Sequence, residues 1–170
     1  ELFILASGGS IDAVSAEQWE CVEKAQSVGI NYWGLHPFVP NQYALEKSHL
    51  DPPPLFFAIE RALKSQGTSL LYYGGPDSVN MNLLKSARRM GVGADYYSAV
   101  SVREGSAREV REHLRFLISQ SKAIQKFGFN ALDARSTVSR LSTMALFGGF
   151  EDVIVMGMDL EGKYFDEYSR

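Results

Sequence analysis

Residues 4–12 read ILASGGSID. An apolar run stops abruptly at two glycines set between two serines. In a chain of alternating strands and helices, that pattern marks the end of a buried strand and a sharp turn past a ligand. Gly8 and Gly9 permit positive φ and a close backbone approach. The turn that follows offers N–H groups and a positive dipole end to an anion. The spacing is neither G-x-G-x-x-G nor a P-loop, since no Lys-Ser/Thr follows. Ser7, Gly8, Gly9 and Ser10 are candidate phosphate contacts, and a tight turn with no ligand is the other reading.

The flanking sequence repeats the alternation. Leu2–Ala6 is expected as a buried strand. Ser15-Ala16-Glu17-Gln18 is a capping box that opens a helix to about Ser27, with Trp19, Val22 and Ala25 inward. Val28–Trp33 and Gln42–Glu46 read as strands around a loop containing Pro37 and Pro40. Asp51-Pro52-Pro53-Pro54 starts a helix to about Gln66. Ser69–Tyr73 is a strand stopped by Gly74-Gly75-Pro76, Val79–Met90 a helix, and Asp95–Val102 a strand. Ser106-Ala107-Arg108-Glu109 is a second capping box. Its helix carries Val110, Leu114, Leu117 and Ile118 inward and Arg108, Arg111 and Arg115 outward. Arg135–Phe147 is a helix with Val138, Leu141 and Ala145 inward, and Val153–Met156 a final buried strand. Short, continuous apolar strands between helices predict the α/β class, a Rossmann-like three-layer sandwich with a mostly parallel sheet.

At 170 residues and 45% hydrophobic, the chain can bury the core of one domain. It opens without Met inside its first strand and ends at Tyr168-Ser169-Arg170, so it is expected to be one domain of a longer protein. No apolar run approaches the roughly 20 residues of a membrane span. A net charge of −3 gives no global nucleic-acid signal, and basic residues spread among acids predict no nucleic-acid stripe. Cys21 is the one cysteine, which excludes a disulfide framework and a cysteine zinc site. It is expected buried on its helix, in a reducing, cytosolic compartment.

Ligands of such sheets sit at the carboxyl ends of strands. Asn31 ends a strand and presents a donor and an acceptor to a base or sugar, or else braces the next loop. His36 titrates near neutrality and is a candidate acid or base. Its alternative is packing between Trp33 and Phe38. Ser136 and Thr137 stand at a helix start as caps or anion contacts. Arg135 and Arg140 face either a phosphate or a salt-bridge partner. Asp159 and Glu161 form a D-x-E pair that either binds metal or, through Asp159, holds a neighbouring loop. Tyr164 and Tyr168 either donate O–H to a phosphate or cover a core edge.

The strand with its small-residue loop and Ser10, the strand ending in Asn31, Ser136-Thr137 before a helix, GGFEDVIVMGMD (148–159) and the later tyrosines form one series. In that order they resemble the bacterial sialyltransferases of glycosyltransferase family 42. They also resemble a wider set of surface-polysaccharide enzymes and the MptE-like pterin pyrophosphokinases. The resemblance implies transfer of a sugar, most plainly an acidic sugar, from a CMP-activated donor, with no cofactor or metal. Its partners would be a nucleotide-sugar donor and a glycan or lipid-linked acceptor. The expected location is the cytoplasm, with any contact to the inner face of a membrane left to other segments. It implies that Ser7–Ser10, Asn31, Ser136, Thr137 and Asp159 contact the donor, and that Tyr164 and Tyr168 hold the leaving phosphate. The family's catalytic histidine lies beyond a lid that follows the last of these segments. Within this chain His36 is the candidate base. The alternatives are a Mg²⁺-dependent pyrophosphokinase, with Asp159 and Glu161 as ligands, and a non-catalytic nucleotide- or glycan-binding module.

Overall fold

A computed structural model of the chain describes residues 1–45, 60–62, 64–65, 67–73, 85, 87–102, 104–127, 129–133 and 136–159. The strands are β1 (Leu2–Leu5), β2 (Gln26–Ile30), β3 (Gln42–Leu45), β4 (Ser69–Tyr73), β5 (Gly93–Tyr97), β6 (Ala99–Ser101), β7 (Ala131–Asp133) and β8 (Val153–Met156). Six of them form one parallel sheet in the order β5-β4-β3-β2-β1-β8. β6 and β7 form a separate parallel pair. The register sets Leu5 level with Gly29 of β2 on one side and with Met156 of β8 on the other.

The period of two along β1 divides its side chains between two cores. Phe3 and Leu5 pack with Ile11, Val22 and Trp33 on one face. Leu2, Ile4 and Ala6 pack with Ala131, Leu141 and Ala145 on the other. Both faces of the sheet are therefore covered, which is the α/β Rossmann-like sandwich that the alternating pattern predicts.

Four helices are fully bounded: α1 (Ala16–Lys24), α2 (Ala107–Ser119), α3 (Ser121–Lys126) and α4 (Thr137–Phe147). Both capping boxes form. Ser15 and Gln18 exchange bonds at the start of α1, and Ser106 and Glu109 do so at the start of α2. Such a cap is worth about 1 kcal/mol. The helices expected over 51–66 and 79–90 lie mostly outside the described residues, as do Gly74-Gly75-Pro76. Of the residues described there, 60–62, 64, 85 and 87–89 are helical.

Five local expectations are corrected. β2 stops at Ile30, and Asn31–Leu35 winds into a short 3₁₀ helix. Trp33 folds back to complete burial there, and its indole N–H donates to Phe38 O at 3.2 Å. The strand expected over Asp95–Val102 is two strands in two sheets. Ser98 leaves the main sheet because Asn130 takes its N–H through Oδ1 and gives its own N–H to Ser98 O, each at 3.1 Å. β8 is a strand but not a buried one. It forms the sheet edge beside β1, so Ile154 and Val155 are exposed. Ile118 is exposed as well, because Leu117 takes the inward position of α2. Cys21 is exposed because its neighbour Val22 faces the core. Among the described residues, no helix is long and apolar enough to cross a membrane.

Candidate functional site

The strand order reverses beside β1. β2 to β5 extend in sequence from one side of it, while β8 returns to the other. In open α/β sheets the crevice at such a reversal, beyond the carboxyl ends of the strands, is where ligands bind. Here it is framed by Ser7–Ser10 after β1 and Gly157–Asp159 after β8.

The two segments are joined across the crevice. Ala6 N–H donates to Met156 O and Gly8 N–H to Gly157 O, each at 2.8 Å. Ser10 donates its backbone N–H to Asp159 Oδ2 at 2.8 Å and its hydroxyl to Oδ1 at 2.5 Å. These bonds, the hydroxyl's first and the amide's second, hold the exposed Asp159 carboxyl below the usual carboxylate range. The loop thus already carries an anion on one of its amides, supplied by the protein.

The glycines serve this junction by space more than by φ. Gly8 is extended, at φ −75°, and Gly9 opens a short 3₁₀ helix over Gly9–Ala13, so neither uses the positive φ that glycine permits. A Cβ on Gly8 would lie 2.6 Å from both Gly157 O and Asp159 Cγ. Gly157 does need a left-handed backbone, at φ +69°, and a Cβ there would run into Ala6 O. Ser7 is buried beneath the loop.

α4 packs on β1 and β8. Its chain enters β8 at the amino end, so its first turn lies at the carboxyl end of the sheet. Ser136 caps that turn by accepting from Ser139 N–H at 3.1 Å, and Thr137 is buried as the first helical residue. One turn later Arg140 pairs with Asp133 at 2.7 Å, with side-chain exposures of 8% and 19%. Its guanidinium lies 4.2 Å above the Tyr73 ring, and Tyr73 Oη donates to Asp133 Oδ2 at 3.1 Å. Arg140 therefore follows its salt-bridge reading. Asp133 and Tyr73 are missed by sequence reasoning. The one signal for them is a strand-end acid seven residues before a helical arginine.

His36 is held by its surroundings. Its ring lies 4.4 Å from that of Trp33 and 5.3 Å from that of Trp19, and Phe38 stacks on Trp19 instead. Nδ1 accepts from Phe38 N–H at 3.1 Å, so the neutral ring carries its proton on Nε2. Arg61 donates to His36 O. Burial, then the Arg61 cation, lower the His36 pKa from 6.5 to about 4, against a smaller opposing pull from Asp12. The sign follows from linkage. The folded state refuses a proton that the unfolded chain accepts, so this contribution is whole above pH 6.5 and is lost as pH falls toward about 4. In urea titrations across that range, His36→Gln is expected to lose stability less steeply than the wild type. Equal slopes would remove His36 from the acid response.

Asn31 opens the 3₁₀ helix at the end of β2. Arg135, Glu161, Tyr164 and Tyr168 lie outside the described residues, and so does the metal reading of Asp159 with Glu161. Among the described residues, no group of three His, Cys, Asp or Glu side chains is placed to hold a metal. Two open depressions of about 350 and 330 Å³ lie at the opposite, amino end of the sheet, near Ser27 and Asn41 and near Thr68 and Gly93. Ser27 and Asn41 are already bonded to each other, at 2.8–3.2 Å, and Thr68 to Pro40 O and Ser65. The polar groups there tie strand starts together. A scan against protein-family models, a search of curated proteins and a search of solved structures each found no match to this chain.

Proposed function

We propose that the β1–β8 crevice binds a nucleotide-activated sugar, and that the domain serves a glycosyltransferase. The observation that supports this is the reversal of strand order at β1, with Ser7–Ser10 and Gly157–Asp159 bonded across it. The identity of the donor as a CMP-linked acidic sugar rests on the resemblance alone. Because Asp159 occupies the Ser10 amide, its carboxylate takes a hydroxyl or amino group of the nucleoside. The donor phosphate lies at the first turn of α4, whose N–H groups and dipole favour an anion. In the transfer, an acceptor hydroxyl attacks the anomeric carbon, its proton passes to a base, and the nucleotide leaves with the bonding pair. In this reading His36 braces the loop after β2, and the proton goes to another group. Tyr164 and Tyr168 keep the leaving-phosphate role that the resemblance implies.

The test is calorimetric titration with CMP, UMP, GDP and ATP, each with and without Mg²⁺. CMP is expected to bind without metal. Asp159→Ala is expected to weaken it by roughly tenfold or more, the worth of a hydrogen bond to a charged group. Mg²⁺-dependent binding of ATP alone would move the chain to the pyrophosphokinase reading, and no binding of any nucleotide would contradict the proposal.

A further inference from the structure

α2 and α3 carry a surface that neither the crevice nor the core explains. α2 ends and α3 starts anew at Gln120, whose φ of −97° and ψ of 11° leave the helical range. Gln120 N–H donates to Phe116 O and Leu117 O, Ile124 N–H to Gln120 O, and Phe127 N–H to Ala123 O and Ile124 O. Leu117 and Ile124 face inward onto Leu132 of β7. The opposite side presents two rows at helical spacing. One row is basic: Arg108, Arg111, Arg115, Lys122 and Lys126, all exposed. Ile118, 46% exposed, fills the gap in that row. The other row holds Phe116, Ala123 and Phe127, and the two phenylalanines are 59% and 80% exposed.

The charge is concentrated here. Residues 107–127 hold five Lys/Arg against two Glu, a net of +3 in a chain whose net charge is −3. Of the cations, Arg108 is paired with Glu112 at 2.8 Å. Exposed phenylalanine carries a large solvation cost in water and inserts readily at the headgroup boundary of a bilayer. Lys and Arg beside it are attracted to anionic lipid. The phosphate backbone of a nucleic-acid duplex would use the cations but offer the outward Phe116 and Phe127 no apolar medium.

We propose that the outer face of α2 and α3 docks this domain on an anionic lipid bilayer. Phe127 and Phe116 enter the headgroup–acyl boundary, while Arg111, Arg115, Lys122 and Lys126 lie against lipid phosphates. The proposal does not depend on the crevice reading.

The test is co-flotation of the whole chain with vesicles of phosphatidylcholine alone, and of equimolar phosphatidylcholine and phosphatidylglycerol. Binding is expected to the mixed vesicles only, and to weaken as salt is raised. Arg111→Glu with Arg115→Glu should lower the partition coefficient by roughly tenfold or more, since each cation at the surface is worth about fivefold. Phe127→Ser should lower it with the charge unchanged, and its exposure makes misfolding an unsuitable explanation. Lys24→Glu, a charge change of −2 on α1, should weaken binding far less than Arg115→Glu alone, which changes the charge equally. Circular dichroism checks that each variant is folded. Absence of flotation, equal loss with Lys24→Glu, or indifference to Phe127→Ser would overturn the assignment. Retention of an RNA or DNA duplex without vesicle binding would overturn it in favour of nucleic acid.

Discussion

Arg140→Met is expected to destabilise the domain by about 3 kcal/mol. Arg140 and Asp133 are both largely removed from solvent, and the pair is anchored between α4 and the end of β7. Removing the guanidinium takes from the partly buried Asp133 a charged partner at 2.7 Å, which the bond from the neutral Tyr73 hydroxyl does not replace. It also removes the cation from the face of the Tyr73 ring. The pair itself is a different matter. Desolvating two charges offsets most of their attraction, so Asp133→Leu together with Arg140→Met should recover much of the loss. Urea denaturation of the two single variants and the double variant gives the coupling directly. A loss for Arg140→Met below about 1 kcal/mol, the range of exposed pairs, would mean that water reaches Asp133 freely.

Gly157→Ala should cost about as much, by another route. At φ +69° any L side chain is strained, by about 1 kcal/mol. Its Cβ would also meet Ala6 O and the Ile11 side chain, in the span where β1 and β8 are held by Ala6 N–H and Gly8 N–H. The sum is about 3 kcal/mol, with strain and collision adding. Gly149→Ala separates the two causes. Gly149 has φ +87° and nothing within 4 Å of its Cβ position, so it should show the backbone cost alone. The difference between the two variants in thermal or urea unfolding is the cost of the collision. Equal losses would mean that β8 can shift away from β1, and that the crevice is not a fixed junction.

Much of the layering is legible in the sequence because it is local. Ser15 with Gln18 and Ser106 with Glu109 announce two helix starts that form as read. The run Ser69–Tyr73 is a strand to the residue. What sequence reasoning misses is set by distant partners. The aromatic, β-branched run after Asp95 gives no sign that it breaks at Ser98, because the cause is an Asn130 amide 32 residues away. VIVM (153–156) reads as a buried strand, yet it lies at the sheet edge, and edge position is a property of topology. Ile118 follows the apolar spacing of α2 but loses the inward position to Leu117.

The site is partly legible for the same reason. Glycines and serines after an apolar strand locate the crevice, and GMD after β8 locates its other lip. That the aspartate binds the serine is visible only once β1 and β8 are neighbours. The loop amides were expected to await a phosphate. One of them holds Asp159 instead.

The measurement that bears most directly on this account is a ¹⁵N-correlated NMR titration of the chain with CMP. The account predicts shifts concentrated at Gly8, Ser10, Thr137, Gly157 and Asp159, around the carboxyl ends of β1 and β8. Shifts confined to Ser27, Asn41, Thr68 and Gly93 at the amino end of the sheet, or no shifts at all, would contradict it.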